Sequence, residues 1–100
     1  MDNKISSKND IKSPKQALLY VKLILISASE NNWIHGINCA LIEIENEQSY
    51  KNAKSIIKTM MQGGRGFSEY YVNTGSAESR QNTNQQLELL KDYLWEWAST

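Results

Sequence analysis

Three glycines fall within four residues at Gly63-Gly64-Arg65-Gly66, and the apolar run Phe67-Ser68-Glu69-Tyr70-Tyr71-Val72 follows at once. Both flanks carry helical periodicity, so this stretch forces a reversal between helices. Glycine costs roughly 1 kcal/mol in a helix interior but adopts positive φ freely. Gly63 or Gly64 is therefore expected to stop a helix, and Gly66 permits a second sharp turn; substitution of Gly64 or Gly66 by Val is expected to destabilise the fold if positive φ is needed there. Arg65 and Glu69 are placed to pair across that turn. Phe67, Tyr70 and Tyr71 then read as a short helical turn or an extended plug that seals the core.

Upstream, Ser13-Pro14-Lys15-Gln16 is a helix opening, with Ser at the N-cap, Pro at the first position and Gln at the third. The spacing predicts a first helix from Pro14 to about Ser29. Ala17, Leu18, Val21, Ile24, Leu25 and Ala28 share one face, and Leu19, Leu23 and Ile26 broaden it, as in a central helix. Asn31-Asn32 breaks the pattern and is placed to cap the next helix. That second helix is expected from Trp33 to Asn46, with Trp33, Ile37, Ala40, Leu41 and Ile44 inward and Gly36 allowing close packing against a neighbour. Residues 41–45 also alternate as a strand would, and this choice stays open. A third helix runs from Gln48 or Ser49 to Gln62, with Tyr50, Ala53, Ile56 or Ile57, and Met60 on one side and Lys51, Lys54 and Lys58 on the other. The last helix opens at Ser76 or at Thr83-Asn84-Gln85-Gln86 and continues to Ala98 on a seam of Leu87, Leu90, Leu94 and Trp97. The fold class expected is all-α: one helical domain over residues 13–100, four main helices and a short turn-like element between the third and fourth. Residues 1–12 lack periodicity and are expected to be a flexible segment.

A chain of 100 residues with 40% apolar content fills one modest core. Its single cysteine, Cys39, excludes an internal disulfide and a cysteine-built zinc site. His35, also alone of its kind, lies four residues from Cys39; two ligands rarely hold zinc, so both are read as structural, with no metal, cofactor or small-molecule substrate. The glycines follow a helix instead of opening one, and no Gly-Lys-Ser/Thr is present, which argues against a phosphate cradle. No apolar run approaches the roughly 20 residues of a membrane span, and the polar start lacks a signal-peptide core; a soluble, cytoplasmic protein is expected.

The formal net charge is zero, which argues against direct nucleic-acid binding, but the charges come in blocks. Residues 23–50 contain Glu30, Glu43, Glu45 and Glu47 and no Lys or Arg. Glu43 and Glu47 stand at i, i+4 near a helix C-terminus, where the dipole disfavours acids; Glu88, Asp92 and Glu96 repeat at spacing four with only Lys91 beside them. Each stripe is either a solvated face or a surface that meets a basic partner. Tyr70 and Tyr71, with the loop 73–76, are the other candidate contact.

The glycine segment with its apolar-acidic continuation, loop and Leu/Trp helix resembles an uncharacterised family of small helical bacterial proteins, in which Gly-Gly-Met-Gly-Ser-Leu-Asn-Asp-Leu fills this position. The resemblance covers roughly Trp33 to Trp97, and Phe67-Ser68-Glu69 departs from the family's Ser-Leu-Asn-Asp. Some proteins of this appearance look like immunity proteins of contact-dependent inhibition or related polymorphic toxin systems. The resemblance implies a non-enzymatic inhibitor that occludes a cognate toxin domain, a nuclease being favoured because its basic cleft would meet the acidic stripes. The alternative is a small helical adaptor or regulatory subunit. No functional residue is carried over from the family, because an immunity surface is not set by a shared motif. The partner-binding candidates are Glu43, Glu47, Glu88, Asp92, Glu96, Tyr70 and Tyr71.

Overall fold

Local capping chemistry starts the first helix where the sequence predicts it. Ser13 Oγ accepts from the Gln16 amide at 3.1 Å, and Pro14 occupies the first turn, where its missing N–H costs nothing. In the computed structural model, which describes Ile5 and residues 7–46, 49–62 and 66–100, the helices are α1 (Pro14–Ser27), α2 (Ile34–Ile44), α3 (Tyr50–Met61) and α4 (Ala77–Ala98). The 3-10 turns η1 (Lys8–Asp10) and η2 (Phe67–Glu69) lie before α1 and between α3 and α4. The described residues contain no strand. The protein is all-α, with a turn-like element where the glycine stretch predicts one.

Residues 41–44 are helical. A strand would have needed a partner, whereas a helix buries Ile37 and Ala40 together and leaves Ile42 71% exposed. Each helix packs on the next, and α4 closes back on α1. Gly36 meets the Met60 sulfur: a Cβ there would lie 3.3 Å from Sδ, so the small residue permits the close α2–α3 approach. The Lys15–Glu45 ion pair at 2.5 Å ties the start of α1 to the end of α2.

A ring of four helices leaves each with one inward face, and this corrects the expectation for α1. Ala17, Leu18, Val21 and Leu25 are buried, but Leu19, Leu23 and Ile26 are 43, 62 and 57% exposed. They form an outer apolar stripe and do not broaden the core face. Helix α1 also ends earlier than its periodicity suggests. Ser29 sits at φ 57, Glu30 N donates to Leu25 O, and Ser29 N donates to Ile26 O, the paired bonds of a Schellman cap. A left-handed backbone costs a non-glycine residue about 1–2 kcal/mol. Ser29→Gly is therefore expected to stabilise the protein by about 1 kcal/mol, seen as a higher urea midpoint at unchanged slope. The following helix is entered without the Asn31 or Asn32 cap: Trp33 is its N-cap residue, and the Asn32 amide donates to the Glu30 carboxylate at 3.0 Å.

Of the two openings predicted for the last helix, Ser76 is used; its hydroxyl accepts from Ser79 N, and Gly75 at φ 88 turns the chain into it. Thr83 and Asn84 lie inside α4. Lys54 and Lys58 do not stand free opposite the α3 core stripe. Lys54 Nζ lies over the rings of Tyr50 and Trp97 at 5.6 and 5.9 Å, and Lys58 over Trp95 at 5.9 Å. Ile5 and Ile11, from the segment expected to be loose, are 4 and 6% exposed and join the core, with Ile5 N donating to Gln86 Oε1.

Gly63, Gly64 and Arg65, and with them the helix stop and the Arg65–Glu69 pair, lie outside the described residues. Gly66 is described, and at a φ of −75 positive φ is not the reason for glycine there. The need for glycine is spatial: a Cβ would lie 2.5 Å from Gln62 O and 2.8 Å from Met61 O.

Candidate recognition face centred on Tyr71

Phe67, fully buried, anchors the chain leaving the glycine turn. Its ring meets Trp33 edge-on at 5.5 Å and Tyr70 at 6.0 Å; Trp33 and Tyr70 lie 4.8 Å apart between centroids. Ser68 donates its hydroxyl to Met61 O at 2.7 Å, tying the turn to the end of α3.

From α4, three side chains reach this segment. Asn84 accepts from Val72 N at 2.8 Å and donates to Val72 O at 3.0 Å. Glu88 accepts the Tyr71 hydroxyl at 2.6 Å. Lys91 donates to the carbonyls of Ser68, at 3.1 Å, and Tyr70. Its ammonium also lies 3.7 Å from the Tyr71 ring centroid and 3.8 Å from Glu88. Lys91 is the one buried charged residue among those described, at 5% exposure. Burial lowers its pKa from the ordinary lysine value, against the opposing fields of Glu88 and Asp92. The carbonyls and the ring make this burial tolerable.

Tyr71 therefore stands with one ring face on a buried cation and its edge toward solvent, 47% exposed, beside Trp95 at 41%. Together with Asp92 and Glu88 they frame an open cleft of about 380 Å³. On the other side of Tyr71 a second cleft, of about 450 Å³, is lined by Trp33, Tyr70, Glu30 and Glu69 among others. The two form one face of carboxylates and aromatic planes. Such a face offers hydrogen-bond acceptors and flat apolar contact to a cationic surface.

The face unites what the sequence left as alternatives: Tyr70 and Tyr71 belong with Glu88 and Asp92. The other candidates are not brought to it among the described residues. Glu96 pairs with Lys8 at 2.5 Å, toward the N-terminal segment, and raises the lysine's pKa through that hydrogen bond. Glu43 lines a shallow groove between α2 and α3 with Asn52 and Thr59, and Glu47 lies outside the described residues. Sequence reasoning missed Glu30, Trp33, Glu69 and Trp95 as site residues. Trp95 had a signal, standing seven residues from Glu88 and three from Asp92; Glu30 and Trp33 reach the site only through tertiary packing. Elsewhere, His35 Nε2 lies 3.5 Å from Cys39 Sγ on α2, and no group of three potential metal ligands occurs among the described residues.

The Tyr71–Glu88 bond raises the phenol's pKa, first through the hydrogen bond itself and then through burial and the charges of Glu88 and Asp92. Ionisation of Tyr71 would put two negative charges together. Glu88→Gln is expected to bring the Tyr71 titration down toward the ordinary value near 10, read from its ring resonances by NMR with Tyr71→Phe for assignment. An unchanged titration would mean that the bond does not hold the ring in solution.

Comparisons of the chain with protein-family models, with curated proteins and with solved structures found no match.

Proposed function

We propose that this is a cytoplasmic immunity protein that binds a secreted toxin domain, most favourably a nuclease, and occludes its active site without chemistry of its own. One observation carries the reading: four carboxylates, Glu30, Glu69, Glu88 and Asp92, are grouped with Trp33, Tyr70, Tyr71 and Trp95 around the two clefts. A nuclease holds phosphates with Lys, Arg or His, and a surface of fixed carboxylates competes for the same groups. Exposed Tyr and Trp supply rigid contact area of the kind that dominates binding energy at interfaces. Lys91, the one cation lining either cleft among the described residues, is turned inward onto carbonyls.

An adaptor role is favoured by a different observation, the exposed stripe Leu19, Leu23 and Ile26 on α1, since apolar stripes of this kind mark contact surfaces. The two readings assign different faces. An immunity gene lies directly downstream of its toxin gene, so the test uses the toxin domain encoded immediately upstream. Co-expression should rescue growth, and the purified pair should elute as one complex with the Tyr71 face protected from hydrogen exchange. Protection confined to α1, or no complex at all, would overturn the proposal.

A further inference from the structure

The cleft beside Trp33 differs in composition from its neighbour across Tyr71. Trp33 and Tyr70, whose rings pack on one another at 4.8 Å and 53°, line it together with Tyr71. Glu30 and Glu69 supply carboxylates at its edge, and no Lys, Arg or His among the described residues lines it. Glu30 is close enough to Tyr70 for its charge to raise the phenol's pKa, after burial, the larger cause. The Schellman cap of α1 fixes the backbone of Glu30 through the bond to Leu25, and the α2 N-terminus fixes Trp33 three residues later. Phe67 backs both rings from the core.

From this geometry we infer that the cleft is a socket for the guanidinium of an arginine side chain presented by the protein's partner. Aromatic faces attract a cation through the ring quadrupole. A guanidinium is flat and weakly hydrated, so it can lie on a ring while its edge donates two parallel hydrogen bonds to a carboxylate. An ammonium uses the charge but neither the plane nor the fork. The inference rests on the reading of this face as one that meets a basic partner, and names the side chain that the partner inserts. It differs from the Glu88–Asp92 cleft, whose lining includes Lys91.

The test needs no toxin. The full chain is titrated with the blocked tripeptide acetyl-Gly-Arg-Gly-amide, and the Trp33 indole and Tyr70 ring are followed by NMR. Matched peptides carry Lys or the neutral isostere citrulline in place of Arg. The arginine peptide should give saturable shifts at both rings with a millimolar Kd, the lysine peptide should bind several-fold more weakly, and citrulline should not saturate. Glu30→Gln combined with Glu69→Gln, two substitutions at the cleft, should weaken the arginine peptide about tenfold or more, while Glu43→Gln, in the groove between α2 and α3, leaves it unchanged. Equal response to lysine or citrulline, or indifference to the double substitution, would each overturn the inference. Failure here with a tight toxin complex would remove the socket alone; an intact titration with no toxin complex would remove the immunity reading alone.

Discussion

Glu88→Lys combined with Asp92→Lys is expected to weaken the complex with a basic toxin domain about 100-fold or more, near 3 kcal/mol. Both acids stand on the outward side of α4 beside exposed Tyr71 and Trp95, where each reversal turns an attraction into a repulsion. Part of the loss should appear in the association rate, because exposed charges steer encounter, and that part should shrink as salt rises. Glu88 also holds the Tyr71 hydroxyl, so the milder pair Glu88→Gln with Asp92→Asn separates lost charge from a displaced ring. Glu43→Lys is the control: it places one charge reversal, half the change of the α4 pair, in the groove between α2 and α3, away from the face. The measurements are surface-binding kinetics at two salt concentrations, with circular dichroism to show that the helices persist. Equal losses from Glu43→Lys and from the α4 pair would show a diffuse charge effect and would sink the assignment of the face.

Gly66→Ala is expected to cost about 3 kcal/mol, at the upper end of what overpacking does, and to lower the Tm by more than about 10 °C. The obstacle is the β-carbon itself, which would press on the carbonyl oxygens of Gln62 and Met61. Those are backbone atoms at the end of α3, and Met61 O is already bonded to Ser68, so relief requires moving the turn or the helix end. A φ of −75 suits any residue, so conformational preference contributes little. Gly66→Val should therefore be only modestly worse than Gly66→Ala. A stable alanine variant would show that the turn has room to relax. Gly75→Ala provides the contrast, a positive φ of 88 with no neighbour closer than 3.7 Å, where strain and not collision sets the penalty.

Local chemistry was legible in the sequence, and packing was not. Ser13-Pro14 starts α1 because the cap needs only its own next residues. Ser76 and Thr83 both read as openings for the same reason, and the choice fell to Gly75 and to the use of Asn84 on Val72. Leu19, Leu23 and Ile26 were misplaced because α1 is apolar on most sides, and only the position of its neighbours decides which side meets solvent. Ile5 and Ile11 were missed as core because isolated apolar residues in a polar segment have no period. Within the site, the density of rings after Gly66 pointed to Tyr70 and Tyr71, and the spacing along α4 pointed to Glu88 and Asp92. Nothing in the sequence placed Glu30 and Trp33 beside Tyr70, a contact that spans nearly forty residues of chain.

The bonds from α4 to residues 68–72 also act as a ruler. Asn84, Glu88 and Lys91 meet Val72, Tyr71, and then Tyr70 with Ser68, in reverse chain order. Seven residues of helix rise about 10 Å, and about three residues of extended chain cover the same length. The two scales therefore match along the contact. The backbone becomes extended at Tyr70, after the 3-10 turn, and successive residues of an extended chain point to opposite sides, so losing one residue between Tyr70 and Val72 would turn an outward side chain inward. The identity of the ring that faces solvent is thus fixed by the count of residues against one helix, whereas the loop 73–75 lies beyond the last mark and can change length without moving that ring.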